Sequence, residues 1–260
     1  MPGRSPAALL ILGSIGVVFF VVPFAGLLAE VPWSDLPQLL TEEVVVDALV
    51  LSTIASLSAT LIAAVVGVPL AWVLARVDFP GRSLVRGVVL LPLVLPPVVG
   101  GAALLFSLGR RGLVGEPLYE GTGLLLPFSI WGVIVATTFV AMPFLVITVE
   151  AALRNMDQRF EAAAASLGAT RWVVFRRITL PMIAPYLVAG LALTWARALG
   201  EFGATITFAG NLQGRTQTLP LTVFVALESD RSVALAISLL MVAVSLSVLV
   251  ALRDRWWQPR

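Results

Sequence analysis

The chain has 260 residues, of which 59% are hydrophobic and 12% are charged, with a formal net charge of +2. Soluble domains carry about 25% charged residues, so this composition indicates an integral membrane protein. All 17 basic residues are arginine, and the sequence has no lysine, histidine or cysteine. This excludes phosphate-binding loops of the Gly-Lys-Ser or Gly-Lys-Thr type, histidine and cysteine metal sites, and cysteine nucleophiles. We therefore expect no catalytic residue, metal or cofactor in this chain, and no nucleic-acid partner.

Six apolar runs are long enough to cross the hydrocarbon core, which takes about 20 helical residues. The predicted spans are 6–29, 48–75, 84–109, 127–152, 178–209 and 232–252. The first run follows Arg4 as in a signal peptide, but its length and its lack of a clear cleavage site favour an uncleaved span. We predict an all-α membrane protein with a first helix and outer loop in 1–46, a transmembrane domain in 47–252 and a tail in 253–260.

The distribution of arginines over the loops predicts the orientation. Twelve arginines lie on the side that holds both chain ends, four lie on the other side, and Arg197 lies within a span. Arginine accumulates in cytoplasmic loops, so both termini are predicted to be cytoplasmic. The acidic residues Glu30, Asp35 and Glu42 agree, because they fall in the first outer loop. Residues 110–126 are rich in glycine and polar groups and are predicted to form a short outer loop.

One segment of the fifth span, residues 195–211, contains an arginine and a glutamate within an apolar run. Arg197 and Glu201 are about one helical turn apart, so their side chains can meet on one face. A charge at bilayer depth costs roughly 2.5 to 3.5 kcal/mol on insertion scales, so it is retained where it is paired or faces a polar path. Two interpretations stay open. Arg197 provides positive potential for a passing anion while Glu201 holds it in place, or the pair fixes the fifth helix to its neighbours.

Hydroxyl side chains on two spans are further candidates for the pathway. Thr205 follows the charged pair, and Ser52 and Thr53 lie on the second span. Their hydroxyls either hydrate a passing oxyanion or return a hydrogen bond to the preceding helical turn.

Prolines and glycines interrupt the third span. Each proline removes a backbone donor and clashes with the preceding turn, so this helix is predicted to be bent or broken. Broken backbone at membrane depth is tolerated where it is packed in protein or lines a watery cavity. A simple packing kink and a pore-lining role both stay open. The candidate hinge or pore-lining residues are Pro92, Pro96, Pro97, Gly200 and Gly203.

The longest cytoplasmic connection, residues 153–177, contains an alanine-rich segment. Asp157 can cap a helix that runs to Ser166, and Gly168 supplies the left-handed residue that ends it. Its small side chains let a groove of another protein approach closely. The apolar anchors beside it are Phe160, Leu167 and Trp172. The alternative is an interfacial amphipathic helix without a partner.

The spacing in this loop resembles the signature loop of permease subunits in binding-protein-dependent ABC importers. That signature has a Glu-Ala-Ala triplet, a glycine four positions after it, and an Ile-x-Leu-Pro sequence at the start of the next span. Here nine residues separate Gly168 from Ile-Thr-Leu-Pro at 178–181. The family's acid position falls on Ala162, and Glu161 lies one residue earlier. Whether Glu161 takes over the contact of that acid stays open.

The resemblance narrows when the transmembrane motifs are added. Arg-Ala-Leu-Gly-Glu-Phe-Gly-Ala-Thr at 197–205, Phe-Ala-Gly-Asn at 208–211 and Leu-Pro-Leu-Val-Leu-Pro-Pro at 91–97 look like the membrane subunit of a molybdate ABC importer. The similarity covers about residues 47–252. Sulfate permeases are close relatives, but they tend to carry Gly-Glu-Tyr-Gly-Ser where this chain has Gly-Glu-Phe-Gly-Ala at 200–204. Molybdate, with tungstate as its near twin, therefore ranks above sulfate and thiosulfate.

The resemblance implies a type I importer permease, a multi-pass protein of the bacterial cell membrane. It implies a homodimer of six-helix subunits around one pathway, two separate ATP-hydrolysing subunits that bind ATP and Mg at the cytoplasmic face, and an extracytoplasmic molybdate-binding protein. In the family a coupling helix, here about 157–171, sits in a cleft of the ATPase. The coupling residues implied here are Glu161, Ala162, Ala163 and Gly168.

Two other classes of protein are alternatives to a transporter subunit. A membrane-embedded enzyme needs a nucleophile with a base or two carboxylates at matching depth, and Glu201 is the one carboxylate well inside a predicted span. A passive channel would need no ATPase subunit.

Overall fold

The computed structural model describes residues 7–256, with side chains up to residue 251. All regular structure in this range is helical, which confirms the predicted all-α class. Two π-helical turns, Ala63–Gly67 and Phe175–Thr179, lie within the longer helical stretches Glu43–Arg76 and Arg171–Leu199. The α-helices in this range are α1 (Ala7–Glu30), α2 (Leu36–Leu39), α3 (Glu43–Ile62), α4 (Val68–Arg76), α5 (Arg82–Val94), α6 (Pro97–Leu108), α7 (Gly115–Thr122), α8 (Ile130–Asn155), α9 (Arg159–Ser166), α10 (Arg171–Val174), α11 (Leu180–Leu199), α12 (Gly203–Phe208), α13 (Leu219–Ser229) and α14 (Arg231–Trp256).

Five helical stretches of the described chain are long and apolar enough to cross a membrane. They correspond to the first, second, fourth, fifth and sixth predicted spans, and the third predicted span is divided into α5 and α6. The stretches are Ala7–Glu30, Glu43–Arg76, Ile130–Asn155, Arg171–Leu199 and Arg231–Ala251. Six crossings, cytoplasmic termini and the division into domains stay predictions.

The last helix is longer than the predicted span, because α14 continues to Trp256 and takes in part of the predicted tail 253–260. Residues 257–260 lie outside the described residues, as does the N-terminal Arg4.

The break in the third predicted span lies at Leu95 and Pro96. Leu95 has φ −68° and ψ 136°, and Pro96 has a similar extended backbone. A residue that precedes proline is disfavoured in helical geometry, so two consecutive prolines force the chain out of α5. Pro97 then occupies the first position of α6, where its missing N–H is not needed. Pro92 is accommodated inside α5. The predicted broken helix is confirmed. The break involves Pro96 and Pro97, and the helix continues through Pro92.

A second break, at residues 200–202, divides the fifth predicted span. The sequence predicts a continuous helix over 178–209, whereas α11 ends at Leu199 and α12 begins at Gly203. Gly200 closes α11, and Phe202 has φ −122°, outside helical geometry. Two glycines within four residues weaken the helix here, since glycine costs about 1 kcal/mol relative to alanine in a helix interior.

The two breaks pack against each other. A Cβ atom placed on Gly203 would lie 2.8 Å from Cβ of Pro97, and one on Gly101 would lie 2.8 Å from the carbonyl oxygen of Ala204. The backbones of α6 and α12 are therefore close enough that only glycine fits at these two positions. Beneath them, the buried side chains of Leu104, Ala136, Val140, Ala204 and Phe208 form one apolar cluster. The breaks are packed in protein on this side.

The long helix α8 lies at the centre and packs against α3, α4, α11 and α12. At one end, which the arginine count predicts to be outer, α13 and α14 form a hairpin that turns at Asp230. Residues 110–126, predicted as a loop, contain the short helix α7, and the Arg110 guanidinium lies 4.7 Å from the centroid of the Tyr119 ring. The opposite end, called the inner end below, comprises residues 72–86 and 150–180.

Gly203→Ala is expected to destabilise the fold by about 1 to 3 kcal/mol, because the added methyl group overpacks the contact with Pro97. Gly87→Ala is the matched control, since a Cβ on Gly87, in α5, meets no atom within 4 Å. Thermal unfolding in detergent measures both. Equal unfolding temperatures for the two variants would contradict the close contact between the breaks.

Candidate functional site

The predicted pair of Arg197 and Glu201 forms in the structure. Nη1 of Arg197 lies 2.5 Å from Oε2 of Glu201, and the Glu201 side chain is only 1% exposed. The two residues do not share one helix, because Glu201 lies in the break after α11. Its other oxygen, Oε1, accepts a hydrogen bond of 2.8 Å from the N–H of Ala204, in the first turn of α12. The carboxylate thus joins the end of one helix to the start of the next.

The charges of this pair match the helix ends that they face. Arg197 lies in the last turn of α11, where carbonyl groups carry partial negative charge, and Glu201 precedes α12, where N–H groups carry partial positive charge. The geometry supports a structural role for the pair, but the pair joins the two halves of the fifth predicted span and does not fix that span to its neighbours through these contacts. About a quarter of the Arg197 side chain (27%) remains exposed.

The predicted hydroxyl residues are in three different surroundings. Ser52 is buried, and its Oγ accepts a hydrogen bond of 2.7 Å from the N–H of Leu219, which fixes the start of α13 to α3. Thr53 is exposed and donates to the carbonyl of Leu49 in its own helix. Thr205 is buried, and its hydroxyl has no hydrogen-bond partner in the described part of the chain. Within the described residues, no hydrogen bond joins any of these three hydroxyls to Arg197, and their pathway role stays a prediction.

The candidate hinge residues fall at the two breaks, with one exception. Pro96, Pro97, Gly200 and Gly203 border the breaks, and Pro97 contacts Gly203 directly. Pro92 lies inside α5, about one turn before the break.

The predicted short helix of the inner loop is present as α9. Oδ1 of Asp157 accepts a hydrogen bond of 2.9 Å from the N–H of Arg159, the first residue of α9, but Gln158 rather than Asp157 occupies the N-cap position. Gly168 follows the helix with φ +82°, which confirms the left-handed residue predicted to end it. Ala162 and Ala163 are exposed, as predicted for a face that another protein approaches. The three apolar anchors are also exposed: Phe160, Trp172 and, at 89%, Leu167.

Glu161 turns away from that exposed face. Its Oε1 accepts a hydrogen bond of 2.5 Å from the hydroxyl of Thr179, and its Oε2 lies 3.4 Å from Nη2 of Arg76. Thr179 is fully buried at the end of the second π-helical turn, and Arg76 is the last residue of α4. The carboxylate therefore binds α9 to two other helices of its own chain.

Aromatic rings surround this contact. The Arg76 guanidinium lies 5.9 Å from the centroid of the Trp72 ring, a cation–π distance. The Trp72 ring meets the Phe175 ring edge-on at 5.3 Å, and Trp172 stacks on Phe175 at 5.6 Å. These contacts join α4, α10 and the π-helical turn beneath Glu161.

Two arginines of α5 bind the end of α4. The Leu74 carbonyl accepts hydrogen bonds from Nε of Arg82, at 2.8 Å, and from Nη2 of Arg86, at 3.2 Å. Arg86 also pairs at 2.5 Å with the buried Glu150 of α8, which lies 3.3 Å from Arg154. The arginines satisfy carbonyls that the helix itself leaves open.

Sequence reasoning used Arg82 and Arg86 only to orient the chain and missed their contacts. One usable signal was that Arg82 and Arg86 are one turn apart at the start of a helix. The link between Glu161 and Thr179 spans 18 residues and had no sequence signature.

The fold and the inner loop that contains α9 can be compared with known proteins. The family model described as "Binding-protein-dependent transport system inner membrane component" matches residues 67–259. The chain belongs to this family. It is a multi-pass permease component rather than an enzyme, which confirms the prediction made from the loop motif.

Two relatives show the range of similarity. The molybdenum transport system permease protein ModB of Mycobacterium tuberculosis strain H37Rv is 43% identical over 240 residues, covering 92% of this chain and 90% of that protein. The sulfate transport system permease protein CysT of Escherichia coli strain K12 is 36% identical over 239 residues, covering 90% and 86%.

Among solved structures, a bacterial alginate ABC transporter in complex with an alginate pentasaccharide-bound periplasmic protein contains a chain with the same fold. The TM-score is 0.77 with 22% sequence identity, and the alignment covers 95% of this chain and 91% of that chain. The similarity shows that the two chains share one fold.

Arg197→Gln is expected to destabilise the protein by about 3 to 5 kcal/mol, because it leaves the buried Glu201 carboxylate without its partner charge. Glu201→Gln should cost less. Its amide oxygen still accepts the hydrogen bond from Ala204, and Arg197 reaches the surface. Thermal unfolding in detergent orders the two variants, and a milder effect for Arg197→Gln would contradict a structural role for the pair.

Proposed function

We propose that this chain is the membrane-spanning subunit of an ATP-driven importer that translocates molybdate, with tungstate as a second substrate. The observation that carries the proposal is the 43% identity to a molybdenum permease over nearly the whole chain. The exposed helix α9 at the inner end and the packed pair of helix breaks both support it, because an importer needs a surface for an ATPase and a pathway that rearranges.

A sulfate permease is the second candidate, since CysT is 36% identical over a similar length. The sequence at this break favours molybdate over sulfate. Where sulfate permeases tend to carry tyrosine, this chain has Phe202, and its ring lies 5.3 Å from the ring of Phe224. A tyrosine hydroxyl is therefore missing from the break that Glu201 caps.

The proposed assembly is a homodimer with two ATP-hydrolysing subunits and one extracytoplasmic molybdate-binding protein. ATP and Mg bind to the ATPase subunits, since this chain lacks lysine for a phosphate-binding loop. The exposed α9 supports an ATPase contact at the inner end. The periplasmic protein in the alginate transporter structure supports a binding-protein contact at the outer end.

The proposed mechanism is alternating access. Closure of the ATPase subunits moves residues 157–171, and the spans rock so that the pathway opens toward a docked, loaded binding protein. ATP hydrolysis resets the permease. The hinges in this scheme are the two breaks, because transitions of this kind need rigid elements joined at a few residues that absorb the backbone change.

Arg197 has a supporting part in this scheme. Because both carboxylate oxygens of Glu201 already have partners, the main role of the pair is to hold the break together. The Arg197 side chain, which is partly exposed, would add positive potential for a tetrahedral dianion, which is one of the two interpretations that the sequence leaves open.

Uptake of labelled molybdate tests the proposal. Cells in which this gene is deleted should lose uptake, and restoring the chain should recover it. Unlabelled tungstate should compete with the label, whereas sulfate in similar excess should not. Competition by sulfate alone would favour the sulfate alternative, and unchanged uptake after deletion would contradict a molybdate importer.

A further inference from the structure

We infer that Glu161 is a positioning residue that links the coupling helix to both of the broken transmembrane helices, rather than a contact to the ATPase. The inference rests on the proposed function and specifies how movement of α9 would reach the pathway. It follows from the direction in which the carboxylate points, from what it binds, and from where the two bound helices lead.

The first link runs through Thr179 to α11. The Thr179 hydroxyl donates to Oε1 of Glu161, and Thr179 directly precedes α11. This helix has 20 residues, about 30 Å, and it ends at the break that contains Glu201. A displacement of α9 is therefore passed to the base of a rigid helix whose far end is one of the two breaks.

The second link runs through Arg76 to α5. Oε2 of Glu161 pairs with Arg76, the last residue of α4, and Arg82 and Arg86 hold the adjacent carbonyls of Leu74 and Ala75. These two arginines lie in the first turns of α5, which ends at the break beside Pro96. The other end of this route is therefore the break at Leu95 and Pro96.

The two routes meet again where the breaks pack together. Pro97 at the start of α6 contacts Gly203 at the start of α12. The coupling helix, α11, α5 and the packed breaks thus form a closed ring of contacts. Because one carboxylate starts both routes, α11 and α5 receive the movement of α9 together.

The surroundings of the carboxylate separate it from a partner protein. Thr179 is 0% exposed, and the Glu161 side chain is largely buried under α9. The outward-facing residues of the same helix include the small Ala162 and Ala163 and the larger Arg159 and Phe160, with Leu167 beyond them. The ATPase cleft would therefore contact mainly small and apolar side chains here, while the acid stays inside the permease.

The test compares buried and exposed variants in the complete transporter with its ATPase and binding protein in proteoliposomes. The buried set is Glu161→Gln, Arg76→Gln and Thr179→Val. Leu167→Asp represents the outward face, and Ser166→Ala is the matched control on α9. Serine 166 is exposed and donates only to the Ala162 carbonyl of its own helix. Two quantities are measured: the amount of ATPase subunit that co-purifies, and the molybdate imported per ATP hydrolysed.

The buried variants should keep the ATPase subunit and import about fivefold less molybdate per ATP or lower, as expected for lost coupling between sites. The double variant with Arg76→Gln and Glu161→Gln should import as much molybdate per ATP as either single variant, because both changes break the same contact. Leu167→Asp should lose the ATPase subunit, and Ser166→Ala should match wild type.

Thr179→Val keeps the test decisive if the charge variants fold poorly, because it removes one hydroxyl without changing the shape of the side chain. The inference is overturned if Thr179→Val and Arg76→Gln keep the wild-type ratio, whether or not Glu161→Gln loses the ATPase subunit. A wild-type transporter that imports no molybdate would instead overturn the proposed function, so the two failures are distinguishable.

Discussion

Hydrocarbon offers no hydrogen bonds, so every helix end and every charge within the apolar part of this chain must be satisfied by another part of the protein. At the packed breaks, Glu201 binds the open N–H of Ala204 and the charge of Arg197. At the inner end, Arg82 and Arg86 satisfy the last carbonyls of α4. The chain can interrupt its helices only where such groups are supplied, and these interruptions are where an importer is expected to move.

The inner end and the packed breaks are connected by two uninterrupted helices, α5 and α11. Each begins among the contacts of the inner end and finishes at a break. The π-helical turns Ala63–Gly67 and Phe175–Thr179 lie in the long stretches that adjoin these contacts. Such turns occur mostly as single-turn bulges within α-helices, and they are frequent at functional sites. The arrangement joins two continuous helices to interruptions at which the backbone direction can change, as a transition between two discrete arrangements requires.

The sequence was sufficient to predict what depends on composition and local backbone chemistry. Apolar runs located the spans, consecutive prolines predicted the break after α5, and Gly168 predicted the end of α9. The second break was missed because Gly200 and Gly203 weaken a helix without forbidding one, and packing against α6 decides the outcome. The contacts of Glu161 were missed because Arg76 and Thr179 are distant in sequence, and which way a carboxylate turns depends on the assembled helices.

The central claim is that α9 and the base of α11 move as one body while the break in the third predicted span bends. The chain has no cysteine, so an introduced cysteine pair supplies the only spin-labelling sites in this subunit. In the proposed assembly, with one permease subunit labelled, distances are measured with and without ATP for Ala165 with Tyr186, and for Val94 with Phe106. The account predicts an unchanged first distance and a shifted second one. A shift between Ala165 and Tyr186, with the distance across the break unchanged, would contradict it.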